Sequence, residues 1–315
     1  MEGLKLKKCV LVYNPESGKN KTKINKQNLI NIARKYNYHL MFKKTKKSGG
    51  ATKVLERLID NVDLVIAVGG DGTLHEAIAG NMRRKKKLLI SYLPQGTVND
   101  VGRMYGMTRN LEKDLELVLS GSKKNIDTCL INENPFVYVA CFGNFVSISF
   151  DTPRELKRRF GKLGYIIYAL KNHVRKVKQY HLKYIVDGIE EEGDFSFVFV
   201  TNTNHVAGVN NIYEDVKLDD GLFEVVLCSA KSVPEIVKLV TTILATNNKK
   251  LKNVVYFKTD NLVIEFEKIQ KESWCVDGEE LKHHTNRFAF SVSKEIDMLI
   301  PNKNVEKLFE EKVEK

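Results

Sequence analysis

Apolar and polar positions change pattern by turns along the first third of the chain. Cys9 to Tyr13 (CVLVY) is a continuous apolar run that ends in a Gly/Asn/Lys-rich loop, the pattern of a buried strand. Lys26 to Lys35 carries Leu29, Ile30 and Ala33 at helical spacing, and Tyr38 to Thr45 reads as a second strand. Thr52 to Ile59 reads as a helix, Leu64 to Val68 (LVIAV) as a strand, Thr73 to Asn81 as a helix, Leu88 to Leu93 as a strand and Asn110 to Ser120 as a helix. Strands apolar on both faces that alternate with helices predict a parallel sheet covered on both sides.

After about Gly121 the pattern changes. Phe136 to Phe142, Phe145 to Phe150, Leu182 to Val186, Phe195 to Thr201, Phe223 to Cys228, Asn253 to Lys258, Leu262 to Phe266 and Phe288 to Val292 read as strands, most of them separated by turns. A long helix over Pro153 to about Lys178 interrupts them, a second lies at Val233 to Thr246, and Asn302 to Lys315 reads as a short amphipathic helix. The expected fold class is α/β followed by all-β. An N-terminal three-layer α/β domain is expected over residues 1–130 and an antiparallel β-sandwich over residues 131–295, with the active site in the cleft between them.

Composition narrows the class. With 43% apolar and 29% charged residues the chain is an ordinary globular one, which excludes wholesale disorder. Apolar runs such as Phe195 to Val200 fall far short of the ~18 residues of a membrane span. The N-terminus runs straight into a strand-like segment, so a cytoplasmic location is expected. The 51 basic against 39 acidic residues leave a formal charge of +12, which favours anionic partners: nucleotide, nucleic acid or acidic lipid headgroups. Cys9, Cys129, Cys141, Cys228 and Cys275 are scattered without a CxxC, which argues against a disulfide framework or a cysteine zinc site. His75-Glu76 lacks the second histidine of HExxH.

The strongest chemical signal is Val68-Gly69-Gly70-Asp71-Gly72-Thr73, between a buried strand and a helix. Glycines at such a turn let phosphate approach the main chain, and the helix N-terminus offers unpaired N–H groups. Asp71 puts a carboxylate in the same place, where a Mg²⁺ ion would reconcile it with phosphate. The motif is neither GxGxxG nor a Walker A loop; Ser17-Gly18-Lys19-Asn20 fails the latter at Asn20. Asn14-Pro15-Glu16-Ser17-Gly18-Lys19 follows the first strand, and Pro94-Gln95-Gly96-Thr97-Val98-Asn99-Asp100 follows the fourth. The latter ends in an Asn-Asp pair that also reads as a plain helix cap. Three glycine-containing polar loops at strand C-terminal ends favour a nucleotide site over three unrelated turns.

Asn14-Pro15-x-Ser17-Gly18-Lys19, Gly69-Gly70-Asp71-Gly72-Thr73-Leu74-His75-Glu76 and Gly96-Thr97-x-Asn99-Asp100, in this order and spacing, resemble the catalytic domain of diacylglycerol kinases, within the bacterial soluble lipid kinases related to sphingosine and ceramide kinases. Leu218-Asp219-Asp220-Gly221-Leu222-Phe223 and Val276-Asp277-Gly278-Glu279 resemble the family's LDDG and DGE stretches. The resemblance implies an ATP-dependent lipid kinase whose last segment, 296–315, packs back on the first domain. It implies ATP contacts from Asn14, Pro15, Glu16, Ser17, Gly18, Lys19, Thr45, Gly70, Asp71, Gly72, Thr73, Leu74, His75, Glu76 and Thr97. It implies Asp71 as the metal-linked carboxylate, with Asn99, Asp100 and Asp127 as polar supports. It further implies a second Mg²⁺ on Asp220 with the carbonyls of Lys217 and Leu222, and Glu279 as general base. Read without the family, Asp219-Asp220-Gly221 is a hairpin turn between strands sooner than a metal site. The chain departs from the family at Gly208-Val209-Asn210-Asn211-Ile212-Tyr213-Glu214-Asp215, where relatives commonly carry a glycine-rich turn, and at His75, where many have Asn.

The expected acceptor is a hydroxyl of a diacylglycerol-like lipid at an anionic membrane surface, reached by peripheral association. The resemblance admits a homodimer, and no nucleic-acid partner is expected. Pro153 to Lys178 carries nine basic residues on a helical pattern with Leu163, Ile167, Leu170, Val174 and Val177 on one stripe. Such a helix suits either an anionic bilayer or packing on the sandwich. The run Arg83 to Lys87 closes a helix, where cations are favoured structurally. Two alternatives remain: an NAD kinase-like phosphotransferase, which also uses GGDG, and a catalytically inactive basic module that binds membrane or nucleic acid.

Overall fold

A run such as Cys9 to Tyr13 is stable as a strand only if both its faces are covered, and the first part of the chain supplies that cover. The computed structural model describes residues 6–15, 24–46, 49–96, 99–143, 177–203, 205–206, 209–210, 216–236, 238 and 253–310. They fall into two units. Unit 1 comprises residues 1–128, 217–220 and 293–315, and unit 2 comprises 129–216 and 221–292.

In unit 1 the order is β1 (Lys7–Tyr13), α1 (Lys26–Lys35), β2 (Tyr38–Lys44), α2 (Gly50–Arg57), β3 (Leu64–Gly69), α3 (Asp71–Met82), β4 (Ile90–Pro94), α4 (Asp100–Met104), α5 (Leu111–Leu119) and β5 (Ser122–Ile131), the last running on into unit 2. The strands pair in parallel in the order β2-β1-β3-β4. The chain steps from β1 to β2 in one direction and from β2 over β1 to β3 and β4 in the other. Right-handed crossovers then put α1 on one face and α2 and α3 on the other. The side chains agree: Asn28 of α1 bonds Glu112 of α5, while Thr52 of α2 bonds the Glu76 carbonyl of α3. Every residue of β3 and β4 is buried.

Among the described residues of unit 2 the strand pairing is antiparallel. The strands are β6 (Asn134–Phe136), β7 (Val139–Gly143), β8 (Tyr180–Val186), β9 (Ile189–Phe195), β10 (Phe197–Thr201), β11 (His205–Val206), β12 (Val209–Asn210), β13 (Phe223–Cys228), β14 (Val254–Thr259), β15 (Asn261–Phe266), β16 (Trp274–Val276), β17 (Glu279–Leu281) and β18 (Arg287–Ile300). One sheet has the order β14-β13-β10-β7-β16-β17. The other runs from β9 through β8 and β15 to the first half of β18. Alternate residues of both meet in one core, in which Phe142, Tyr180, Phe266, Trp274, Phe288 and Phe290 bury their rings. The expected α/β plus β-sandwich fold is the observed one.

The second half of β18 belongs to unit 1, where Met298 pairs in parallel with Ile90 of β4. A 3₁₀ turn (Asn302–Asn304) and the single turn α6 (Val305–Leu308) follow. Of the tail helix expected over Asn302 to Lys315, residues 311–315 lie outside the described residues. Phe309 leaves the helical region and is buried, the Lys217 ammonium takes the Glu306 and Phe309 carbonyls, and Glu310 N donates to Asp219. The segment Lys217–Asp220 belongs to this α/β unit, whereas the sequence pattern put it with the sandwich. Leu218 N donates to the Leu308 carbonyl and Asp127 N to the Leu218 carbonyl, which explains why. Among the described residues 216–222 the chain bends without strand before β13 begins, and 211–215 lie outside the described residues.

Of the basic run that closes α3, Arg84 is buried and donates to the Leu55, Leu58 and Lys86 carbonyls, and Lys87 donates to those of Met82 and Arg84. Their role is structural. The expected strand at Phe145 to Phe150 and nearly all of the basic helix lie outside the described residues. Among the described residues no helix is long and apolar enough to cross a membrane.

Candidate active site

In an open parallel sheet, ligands bind beyond the strand C-terminal ends where strand order reverses. Here that point lies between β1 and β3. Asn14 and Pro15 leave β1 and Gly70 leaves β3 at adjacent positions, since Tyr13 pairs with Val68. Thr45, just past β2, is buried at the same edge and donates its N–H to the Tyr13 carbonyl. Glu16, Ser17, Gly18, Lys19 and Thr97 lie outside the described residues.

The turn after β3 is built for close approach of main chain to main chain. Gly70 is the N-cap of α3, and its carbonyl takes the N–H groups of Thr73 (2.8 Å) and Leu74. Across from it, Gln95 N and Gly96 N donate to the Gly69 carbonyl at 2.7 and 3.1 Å. A Cβ on Gly96 would stand 2.4 Å from Gly70 Cα, so this contact requires glycine. The backbone is thereby laid open on both loops, which suits a phosphate chain.

Asp71 joins the same two loops. Its carboxylate is buried and accepts the N–H of Asp100 (3.0 Å) and of Val101 (3.2 Å), the first residues of α4. The capping anticipated from Asn99 is therefore done by Asp71. Asn99 sits at the N-cap in the left-handed region (φ 56°), and its side chain turns back to hold Gly96 through both N–H and C=O. Tyr92, wholly buried, donates its hydroxyl to the Gly69 carbonyl, also within reach of Asn99 Oδ1. Nothing in the sequence pattern marks Tyr92, which looks like one more strand residue.

The other expected residues are divided. Glu76 is spoken for structurally in part, since its two oxygens accept Gly49 N (2.7 Å) and Ala51 N (2.9 Å) and so cap α2. Leu74 is fully buried, whereas Gly72, Thr73 and His75 are half-buried along the first turns of α3. Asp127, on β5, is buried with Lys294 Nζ 3.8 Å from its carboxylate. Lys217, Asp220 and Leu222 lie half-buried around a bend where Gly221 takes φ +82°.

In unit 2, β16 and β17 form a hairpin in which Val276 faces Glu279, leaving Asp277 and Gly278 as a two-residue turn. Both have positive φ, 50° and 89°, the signature of the Asp-Gly type I′ turn. Asp277 is buried and its carboxylate accepts Val137 N, Tyr138 N and Val139 N at 2.7, 3.0 and 3.1 Å. Glu279 is exposed on the edge strand beyond it.

Among the described residues no three His, Cys, Asp or Glu side chains cluster as a metal site. The candidate donors are single carboxylates, Asp71 and Asp220, together with backbone carbonyls. An all-oxygen set of this kind, completed by phosphate, fits Mg²⁺ and does not fit a soft metal. No disulfide joins any of the five cysteines, all of them among the described residues, and burial pushes the Cys9 thiol up.

Residues 8–131 match the diacylglycerol kinase catalytic domain, and residues 150–295 match the YegS C-terminal NAD kinase beta sandwich-like domain. The chain is 29% identical over 297 residues to a diacylglycerol kinase of Staphylococcus aureus (strain bovine RF122 / ET3-1), covering 94% of this chain and 93% of that one. Identity is again 29%, over 298 residues, to that of strain MRSA252. The fold superposes on the crystal structure of a diacylglycerol kinase from Bacillus anthracis str. Sterne with a TM-score of 0.78 at 22% identity, covering 96% of this chain and 99% of that one. The chain is thus similar to diacylglycerol kinases over nearly its whole length and carries their catalytic domain at residues 8–131.

Proposed function

We propose that the protein transfers the γ-phosphoryl group of ATP to a hydroxyl of a diacylglycerol-like membrane lipid, in a Mg²⁺-dependent reaction with Glu279 as general base. The observation that carries this reading is the joining of the Gly69–Asp71 loop, which borders the sheet's switch point, to the loop after β4, through Asp71 and the Gly70–Gly96 contact. Phosphoryl transfer asks mainly for positioning and charge neutralisation. The α3 N-terminus and the glycine backbone bind the phosphates, with Asn14 to Lys19, Thr45, Thr73 to Glu76 and Thr97 around the nucleotide. Asp71 orients the loops and would hold a Mg²⁺ ion, which would neutralise charge on the phosphate oxygens. Asn99 and Asp100 support the loop, Asp127 supports the same unit's polar edge, and Asp220 with the Lys217 and Leu222 carbonyls would hold a structural Mg²⁺.

A lipid hydroxyl is a weak nucleophile at neutral pH, and Glu279, exposed at the end of a tight turn, takes its proton as the new phosphorus–oxygen bond forms and the bond from the γ-phosphorus to the bridging oxygen breaks, releasing ADP. The family supports a lipid acceptor, and the net charge of +12 suits peripheral association with an anionic membrane, with 1–130 and 131–295 as the working domains. The matched catalytic domain favours this reading over an NAD kinase, although the sandwich match carries the NAD kinase name.

The test is transfer of label from [γ-³²P]ATP to a panel of diacylglycerol, monoacylglycerol, phosphatidylglycerol and sphingoid base in mixed micelles, with NAD as a parallel acceptor. Label is expected in diacylglycerol. Label in NAD alone, or in nothing, contradicts the reading.

A further inference from the structure

We propose that Asp277 is a positioning residue for phosphoryl transfer: its buried carboxylate, by gathering three successive backbone N–H groups, fixes the turn that presents Glu279. The proposal rests on the assignment of Glu279 as the base.

Glu279 stands in a poor place for a group that must be held still. β17 is three residues long, lies at the edge of its sheet and is exposed at Glu279 and Glu280. A short hairpin is barely stable by itself, and edge elements open first. Beyond the turn, the register of β16 with β7 is confined to Cys275 facing Cys141 and Val276 facing Ala140. A base must nevertheless stay within hydrogen-bond reach of its proton, and displacement by about 1 Å can cost on the order of 10²-fold in rate.

Asp277 supplies the missing constraint. Its main-chain N–H donates to the Val139 carbonyl at 2.8 Å, and its side chain accepts Val137, Tyr138 and Val139 N–H in return. The turn is therefore clamped from both sides to the stretch that enters β7, some 140 residues earlier in the chain. The clamp needs an acceptor with no donor of its own, since every partner is an N–H, and a carboxylate is the side chain that offers this. The residue must also accept φ 50°, which Asp tolerates better than most.

Asp277→Asn is the discriminating variant. It keeps size and tolerance of the left-handed turn, but turns one of the two acceptor atoms into a donor facing N–H groups. The experiment is a double-mutant cycle of D277N and E279Q, with kcat and the KM for ATP measured on the micellar lipid that the wild-type chain labels. For D277N the expected result is a fall in kcat of about 10- to 100-fold with KM for ATP within about twofold of wild type. In the E279Q background D277N should cost nothing further, because the group it positions is already gone. Amide exchange at Val137 to Val139 should speed up in D277N.

Wild-type kcat in D277N overturns the proposal. So does an equal loss in both backgrounds, which would make Asp277 merely structural. The base assignment fails separately and visibly, if E279Q alone turns over like wild type. If D277N does not fold, Gly278→Ala takes its place in the cycle. A Cβ there meets nothing within 4 Å, so the variant strains the φ of +89° without disturbing the core, and the same pattern is expected.

Discussion

Two buried aspartates, one in each unit, do similar work with opposite consequences. Asp71 and Asp277 both spend their carboxylates on backbone N–H groups, two for the first and three for the second. Asp71 ties together two loops that grow from neighbouring parallel strands, β3 and β4, which are themselves buried along their whole length. Its surroundings are rigid before it acts, and its effect is to shape a binding surface. Asp277 ties an edge hairpin with little support of its own, and its effect is to hold one exposed side chain. A motif carboxylate thus reads as a ligand or a catalyst in sequence, while in the structure part of its duty is architectural.

The comparison can be broken by separating binding from turnover. The largest effect belongs to Glu279→Gln, which should lower kcat by about 10²- to 10⁴-fold and leave ATP binding and thermal stability unchanged. A fully active variant would remove the base. Asp71→Asn comes next. It faces α4 with an N–H₂ where an acceptor is needed, so a stability loss of about 1–3 kcal/mol is expected in denaturant melts, together with weakened ATP binding. Asp71→Asn and D277N should therefore fail on different axes, the first in ATP affinity and the second in kcat. A shared phenotype would contradict the division drawn here.

Gly96→Ala tests the loop contact without touching a charge. Its methyl group would stand 2.4 Å from Gly70 Cα, and about 1–3 kcal/mol of destabilisation and a raised KM for ATP are expected. The smallest effect is set by Arg287→Ala. Its pairing with Glu265 across β15 and β18 is exposed at both ends, and no more than about 1 kcal/mol should be lost. A larger loss there would mean that exposed pairs matter to the sandwich as much as the buried caps do.

Much of the fold was legible because burial is written locally. Phe223–Cys228 and Lys26–Lys35 fall where the apolar pattern puts them, since strands covered on both faces and amphipathic helices carry their own signal. β9 was not legible: Ile189–Phe195 reads IEEEGDF, an exposed edge strand with charge at successive positions and no alternation to detect. β18 runs 14 residues where five were expected, because Ser293 and Lys294 interrupt the apolar pattern although the strand continues. The glycine turn after β3 could be read as a site from its own residues. The partners of its aspartate could not, as they lie 29 and 30 residues away. The role of Asp277 was further out of reach, although its Asp-Gly pair between two short strand segments is a recognisable hairpin signal.

The central claim is that the two joined loops of unit 1 bind a nucleotide triphosphate together with its divalent ion. Calorimetric titration of the folded wild-type chain with ATP, once at saturating Mg²⁺ and once in EDTA, tests it most directly. Saturable uptake of one ATP per chain with Mg²⁺, and its loss in EDTA, is the predicted result. Absence of any magnesium-linked heat would contradict the account.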